Sequence, residues 1–94
     1  MNPFLHQVAL ELERARTKHP PRQNSLHESY AVILEELDEF WDLVRLQTSE
    51  RDPAELLTEL IQIAAMAARA AEDNGLIATT YDEPMRFRIV ESQQ

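Results

Sequence analysis

The stretch from Pro53 to Asn74 constrains this chain more than any other. Leu56, Leu57, Leu60, Ile61, Ile63, Ala64, Ala67, Ala68 and Ala71 set apolar side chains around most of a helical circumference. A helix of that kind is stable only when it is covered on more than one side. Its many alanines allow neighbouring helices to approach closely. Asp52-Pro53-Ala54-Glu55 supplies a cap, a proline at the first helical position and an early acid, and Gly75 stops the helix. The one strip left polar reads Glu55, Glu59, Gln62, Met66, Arg69 and Asp73.

Two further helices are expected. Asn2 and Pro3 open the first, which carries Phe4, Leu5, Val8, Leu12 and Ala15 as a stripe and ends before Pro20-Pro21. Ser25-Leu26-His27-Glu28 has the form of a capping box and opens the second. Tyr30, Ile33, Leu34, Leu37, Trp41 and Val44 form its most apolar face and are assigned to the core, while Val32, Glu36, Glu39 and Leu43 occupy the face beside it. The expected fold is all-α, with helices over 3–18, 25–47 and 53–74 in one unit of residues 1–75. Residues 76–94 are read as a tail, extended or briefly helical, with β character at Thr79-Thr80-Tyr81 and Phe87-Arg88-Ile89-Val90. Three helices with so much apolar surface cannot cover themselves, which predicts an oligomer.

Composition narrows the function. The 94 residues carry 17 acidic and 9 basic side chains, a net charge of −8, which argues against binding to a nucleic acid polymer. A bound cation can still reverse the local sign for a small phosphate ligand. The single glycine rules out a glycine-rich phosphate loop, and the lack of cysteine excludes disulfides and thiolate metal sites. No apolar run approaches the roughly 20 residues needed to span a bilayer. The start, Met1-Asn2-Pro3-Phe4, lacks a signal-peptide pattern, so a cytoplasmic location is expected.

The acids are where chemistry would lie. Glu35-Glu36-Leu37-Asp38-Glu39 is answered downstream by Glu59-Leu60-Ile61-Gln62. Residues three apart share a side of a helix. Two such pairs on facing helices could surround a hard divalent cation with oxygen ligands. The bland alternative is a solvated acidic face, which many helices carry.

The run from His27 through Trp41, followed after a gap by Glu59-Leu60-Ile61-Gln62-Ile63-Ala64-Ala65-Met66-Ala67, resembles the MazG-like all-α NTP pyrophosphohydrolases. The likeness spans roughly Ser25 to Asp73. The family's E-x-x-E falls on Glu36 and Glu39, and its E-x-x-D falls on Glu59 and Gln62. The resemblance implies a helical bundle completed as a homodimer or homotetramer. It also implies Mg²⁺, or Mn²⁺ in its place, held by Glu36, Glu39, Glu59 and Gln62. The reaction implied is hydrolysis of a nucleoside or deoxynucleoside triphosphate to the monophosphate and pyrophosphate, as nucleotide-pool clean-up. Gln62 stands where the family has aspartate. Its carbonyl can coordinate Mg²⁺ but is neutral, so the site loses one negative charge, for which Asp38, Asp42 or Asp73 could compensate.

Further roles follow by position. Glu35 is the candidate base that activates water. Arg69, Lys18, Arg22 and His27 are candidate substrate contacts, since cationic side chains suit phosphate. Arg69 has a structural alternative as an ion-pair partner of Asp73 at i+4. The rival to an enzyme is a non-catalytic module of the same fold that binds a nucleotide or a protein, supported by Gln62.

Overall fold

The computed structural model describes residues 2–77 and is helical throughout, with no strand among those residues. Helix α1 spans Pro3–Lys18, α2 spans Leu26–Val44 and α3 spans Pro53–Asp73, with a 3-10 turn at Thr48–Glu50 between α2 and α3. The β character expected beyond Ile77 lies outside the described residues. No described helix is long and apolar enough to cross a membrane.

The helix ends follow the sequence closely. The Asn2 side chain accepts from Leu5 N at 2.8 Å, and Asp52 accepts from Ala54 N at 2.9 Å. Each satisfies a backbone donor that the first helical turn leaves free. Ser25 accepts from Glu28 N at 3.1 Å, but the returning Glu28 carboxylate takes Asn24 N rather than Ser25 N. At the far end of α3, Gly75 has a φ of 73°. Gly75 N donates to Glu72 O at 3.1 Å and Leu76 N to Ala71 O at 2.9 Å. That pair of bonds is the Schellman motif, which needs a residue free to enter the left-handed region.

The second helix is shorter than the expected 25–47. It stops at Val44, where Arg45 N bonds Trp41 O and the Arg51 guanidinium reaches back to Val44 O. The loop thus satisfies a terminal carbonyl that another helical turn would otherwise have taken.

Helix α3 is the centre of the molecule. It packs against both α1 and α2, whereas α1 and α2 do not pack on each other. Val8 and Ala15 of α1 meet Ala65 and Met66 of α3 in the buried core, flanked by Leu12, Val32, Ile33, Ile61 and Ala64. Ala65 is wholly inaccessible. A larger side chain there would force the helices apart.

One expectation fails instructively. The most apolar face of α2 is not core: Tyr30 is 67% exposed and Trp41 59%, with Leu34 and Leu37 also exposed. Only Ile33 and Val44 of that set are half-buried. The helix is rolled so that its Val32, Glu36 and Leu43 side meets α3. The apolar stripe is left outward, and the acids are brought in.

Candidate functional site

The roll of α2 sets the geometry of the acids. Glu36 and Glu39, one turn apart on α2, and Glu59 of α3 offer carboxylate oxygens that all lie within 4.8 Å of one another. Glu36 and Glu59 are half-buried and Glu39 is exposed. One oxygen of Glu36 and one of Glu59 (Oε1 in each) is shut away from solvent with no hydrogen-bond partner. Burial of this kind is costly for a carboxylate, because water is removed and nothing replaces it.

The electrostatics record the same cost. Burial, together with the charges of Glu39 and Glu59, pushes Glu36 from the ordinary carboxylate range up to about 7. Burial and the Glu39 charge also raise Glu59. Close carboxylates resist ionising together. Glu36 therefore changes charge near neutral pH and not in the acid range.

Glu36 faces a cleft of about 300 Å³ in the gap between α1 and α2. Its floor is Gln62 and Met66 of α3. Glu35 and Glu36 form the α2 wall, and Glu11, Arg14 and Lys18 the α1 wall, with His19 at the edge. Glu39 and Glu59 line a second groove toward the start of α3, with Asp42, Glu55 and Thr58. The three carboxylates therefore join two openings. Glu36, Glu39 and Glu59 come together as the sequence suggests, and Glu35, Gln62 and Lys18 share the cleft beside them.

The other candidates sit elsewhere. Arg22 lines a neighbouring cavity of about 380 Å³ together with His19, Gln23, Asn24 and Met66. His27 is exposed in the first turn of α2 and lines neither of these openings. Arg69 lines the same cavity as Arg22, but its guanidinium is engaged internally, as the ion-pair alternative expects. It is 4% exposed, and its guanidinium donates to Ala15 O, His19 O and Pro21 O while pairing with Asp73 at 3.1 Å. Asp73 likewise cannot make up the charge missing at Gln62. It accepts from Gln23 N at 3.0 Å and pairs with Arg16 at 2.9 Å. Asp38 is exposed, and Asp42 pairs with Arg45 on the surface at 3.1 Å.

Sequence reasoning missed Glu11 and His19 as cleft residues, and it missed the contacts of Arg16 with Glu72 and Asp73. Arg16 lies in the last turn of α1, where a basic residue suits the helix C-terminus. Its partners are more than fifty positions away, and helical periodicity carries no signal over that distance.

The donor set fits a hard divalent cation: three carboxylates, two with orphaned buried oxygens, and no softer nitrogen or sulfur ligand in the cluster. No protein-family model matches this chain, and no curated protein or solved structure matches it.

Proposed function

We propose that this protein is a Mg²⁺-dependent nucleoside triphosphate pyrophosphohydrolase with a MazG-like arrangement of helices. The observation that carries the reading is the convergence of Glu36, Glu39 and Glu59 with two buried oxygens left unpaired. Those three residues would hold Mg²⁺ or Mn²⁺, with the Gln62 carbonyl assisting from the floor of the cleft. A cation bound there supplies charge neutralisation for phosphate oxygens and lowers the pKa of water. Glu35, exposed in the same cleft, takes the proton from the attacking water. Water adds at the α-phosphorus, the bond between α- and β-phosphates breaks, and the products are a monophosphate and pyrophosphate. Lys18 and Arg14 on the opposite wall steady the phosphates. Arg22, at the mouth of the adjoining cavity, is placed for a more distant part of the nucleotide.

The reading includes self-association as a homodimer or homotetramer. Its support is the outward stripe of Tyr30, Leu34, Leu37 and Trp41 on α2, with Leu57 and Leu60 exposed on α3. Contiguous apolar surface of this kind marks contact sites. Trp41→Glu is expected to lower the mass measured by light scattering. An unchanged mass would remove Trp41 from the interface.

The test of activity is a panel of nucleoside and deoxynucleoside triphosphates with Mg²⁺, read by pyrophosphate release. Turnover that falls about a hundredfold or more in Glu35→Gln, and disappears in Glu59→Gln, supports the assignment. No turnover on any substrate, with no Mg²⁺-dependent thermal shift, sinks it. A second reading, a non-catalytic module of the same fold, draws on the neutral Gln62; it predicts nucleotide or protein binding without pyrophosphate release.

A further inference from the structure

The α1 wall of the cleft is attached to the rest of the molecule in an uneven way. Toward its start, α1 meets α3 through Val8 and Leu12, while Phe4, Leu5 and Leu10 stay exposed. At its end the attachment is polar, buried and dense. The Arg69 guanidinium takes three carbonyls, from Ala15 inside the helix, His19 at its cap and Pro21 in the linker. The Ala15 carbonyl already accepts from His19 N at 2.8 Å, so Arg69 is a second donor there, while His19 and Pro21 lie beyond the last helical residue. Asp73, 8% exposed, then holds Arg69, Arg16 and Gln23 N at once. Arg16 also reaches Glu72 at 2.6 Å.

The geometry points to Arg69 as a positioning residue: by pinning the last turn of α1 and the Pro20–Asn24 linker to α3, it holds the basic edge of the cleft, Lys18 and His19, opposite Glu35 and Glu36. Arg69 lies outside the Glu36, Glu39 and Glu59 cluster, and its bonds run to α1, the linker and Asp73. A planar fork with five donors can serve three carbonyls and a carboxylate together, which a lysine ammonium cannot. Binding of a cation by residues of α2 and α3 does not need the pin. Binding of a phosphate chain by the α1 edge does, and that half of the inference rests on the hydrolase reading above.

Arg69→Lys separates these effects. Two measurements are made on the full chain: amide hydrogen exchange, and calorimetric titration with Mg²⁺ alone and with Mg²⁺ plus inorganic pyrophosphate. Exchange is expected to rise at least tenfold across residues 14–23 while the middle of α3 keeps its protection. Mg²⁺ affinity is expected to stay within twofold, and pyrophosphate affinity to fall at least tenfold. Unchanged exchange at 14–23, or unchanged pyrophosphate affinity despite faster exchange there, overturns the inference. Wild-type protein that binds neither Mg²⁺ nor pyrophosphate sinks the hydrolase reading instead, and exchange alone then decides the pin. If Arg69→Lys does not fold, Asp73→Asn keeps the size of the side chain while removing the charge that holds the Arg69 fork against the three carbonyls. It is expected to loosen the same segment, and a rise spread evenly over all three helices would overturn the inference.

Discussion

Two charged clusters sit on the same helix and are built on opposite terms. Near the start of α3, Glu59 joins Glu36 and Glu39 in a group of one sign, with buried oxygens that nothing satisfies. Three to four turns further on, Arg69 and Asp73 belong to a group of both signs, in which almost every donor and acceptor is used. One Asp73 oxygen, Oδ1, faces Arg16 as an ion pair without hydrogen-bond alignment. Titration behaviour divides the same way. Burial would raise Asp73, but the Gln23 N–H and the guanidiniums of Arg16 and Arg69 outweigh it and hold the carboxyl below its ordinary range. Glu36 has burial and the like charges of Glu39, Glu59 and Glu35 acting together, and moves up. A cluster that satisfies itself stabilises a fold, whereas one left in deficit carries an unmet desolvation cost.

The largest effect should come from breaking the satisfied cluster. Arg69→Ala leaves Asp73 buried with only Arg16 and Gln23 N, and takes a donor from each of three carbonyls. Removing one partner of a buried ion pair costs about 3–5 kcal/mol, a large share of the stability of a domain this small. Urea denaturation checks this. A loss under 1 kcal/mol would mean that water replaces the guanidinium freely and that the contrast between the clusters is weaker than drawn. The same comparison predicts that Glu36→Gln, in the deficient cluster and without divalent cation, leaves stability unchanged or raises it.

The pH dependence carries the contrast at smaller amplitude. Glu36 titrates near 7 in the folded chain, against about 4.5 when unfolded. Between those values the folded state binds more protons, so stability falls as pH rises from about 4.5 to about 7 and then levels. Screening of a half-buried group leaves an effect of roughly 1–2 kcal/mol. Asp73 acts in the reverse sense, since its folded pKa is depressed below 3.8. Its contribution is complete above that value and is lost as pH falls through the folded one. Thermal melts from pH 3 to 8 in chelator should therefore show a maximum in the weakly acid range. Saturating Mg²⁺ should flatten the fall above pH 4.5, because a cation that binds only the folded state stabilises it by about 2.7 kcal/mol at a hundredfold excess over Kd. A melt indifferent to Mg²⁺ at every pH would leave the carboxylates as a solvated face.

How far all this was legible in the sequence depends on the range of the interaction. Caps, prolines and apolar spacing are local, and they placed α1 and α3 almost to the residue. The end of α2 was missed because Arg51, seven positions on, takes the Val44 carbonyl. The pairing of Arg69 with Asp73 at i+4 was readable, and so was the convergence of Glu36, Glu39 and Glu59 once two facing helices were assumed. The rotation of α2 was not. Periodicity finds the most apolar face of a helix but does not say whether that face meets another helix of the same chain, and here Tyr30 and Trp41 point outward. Arg69's three carbonyl partners were equally hidden, since they come from a helix end roughly fifty positions earlier.

The smallest and most selective test concerns Gln62, which lies between the two clusters on the α3 strip and shares the cleft with Glu35 and Glu36. Gln62→Asp adds a negative charge to a group already in deficit. In chelator it should cost no more than about 1 kcal/mol, because Gln62 is only half-buried and Lys18 faces the same cleft. With Mg²⁺ the sign should reverse. A hard cation gains an anionic ligand in place of a neutral one, and affinity should rise several-fold. Reversal of the thermal shift between chelator and Mg²⁺ is therefore the signature of Gln62 acting at the cation site. Destabilisation of equal size in both conditions would make Gln62 a packing residue on the cleft floor, and the cluster would then end at its three glutamates.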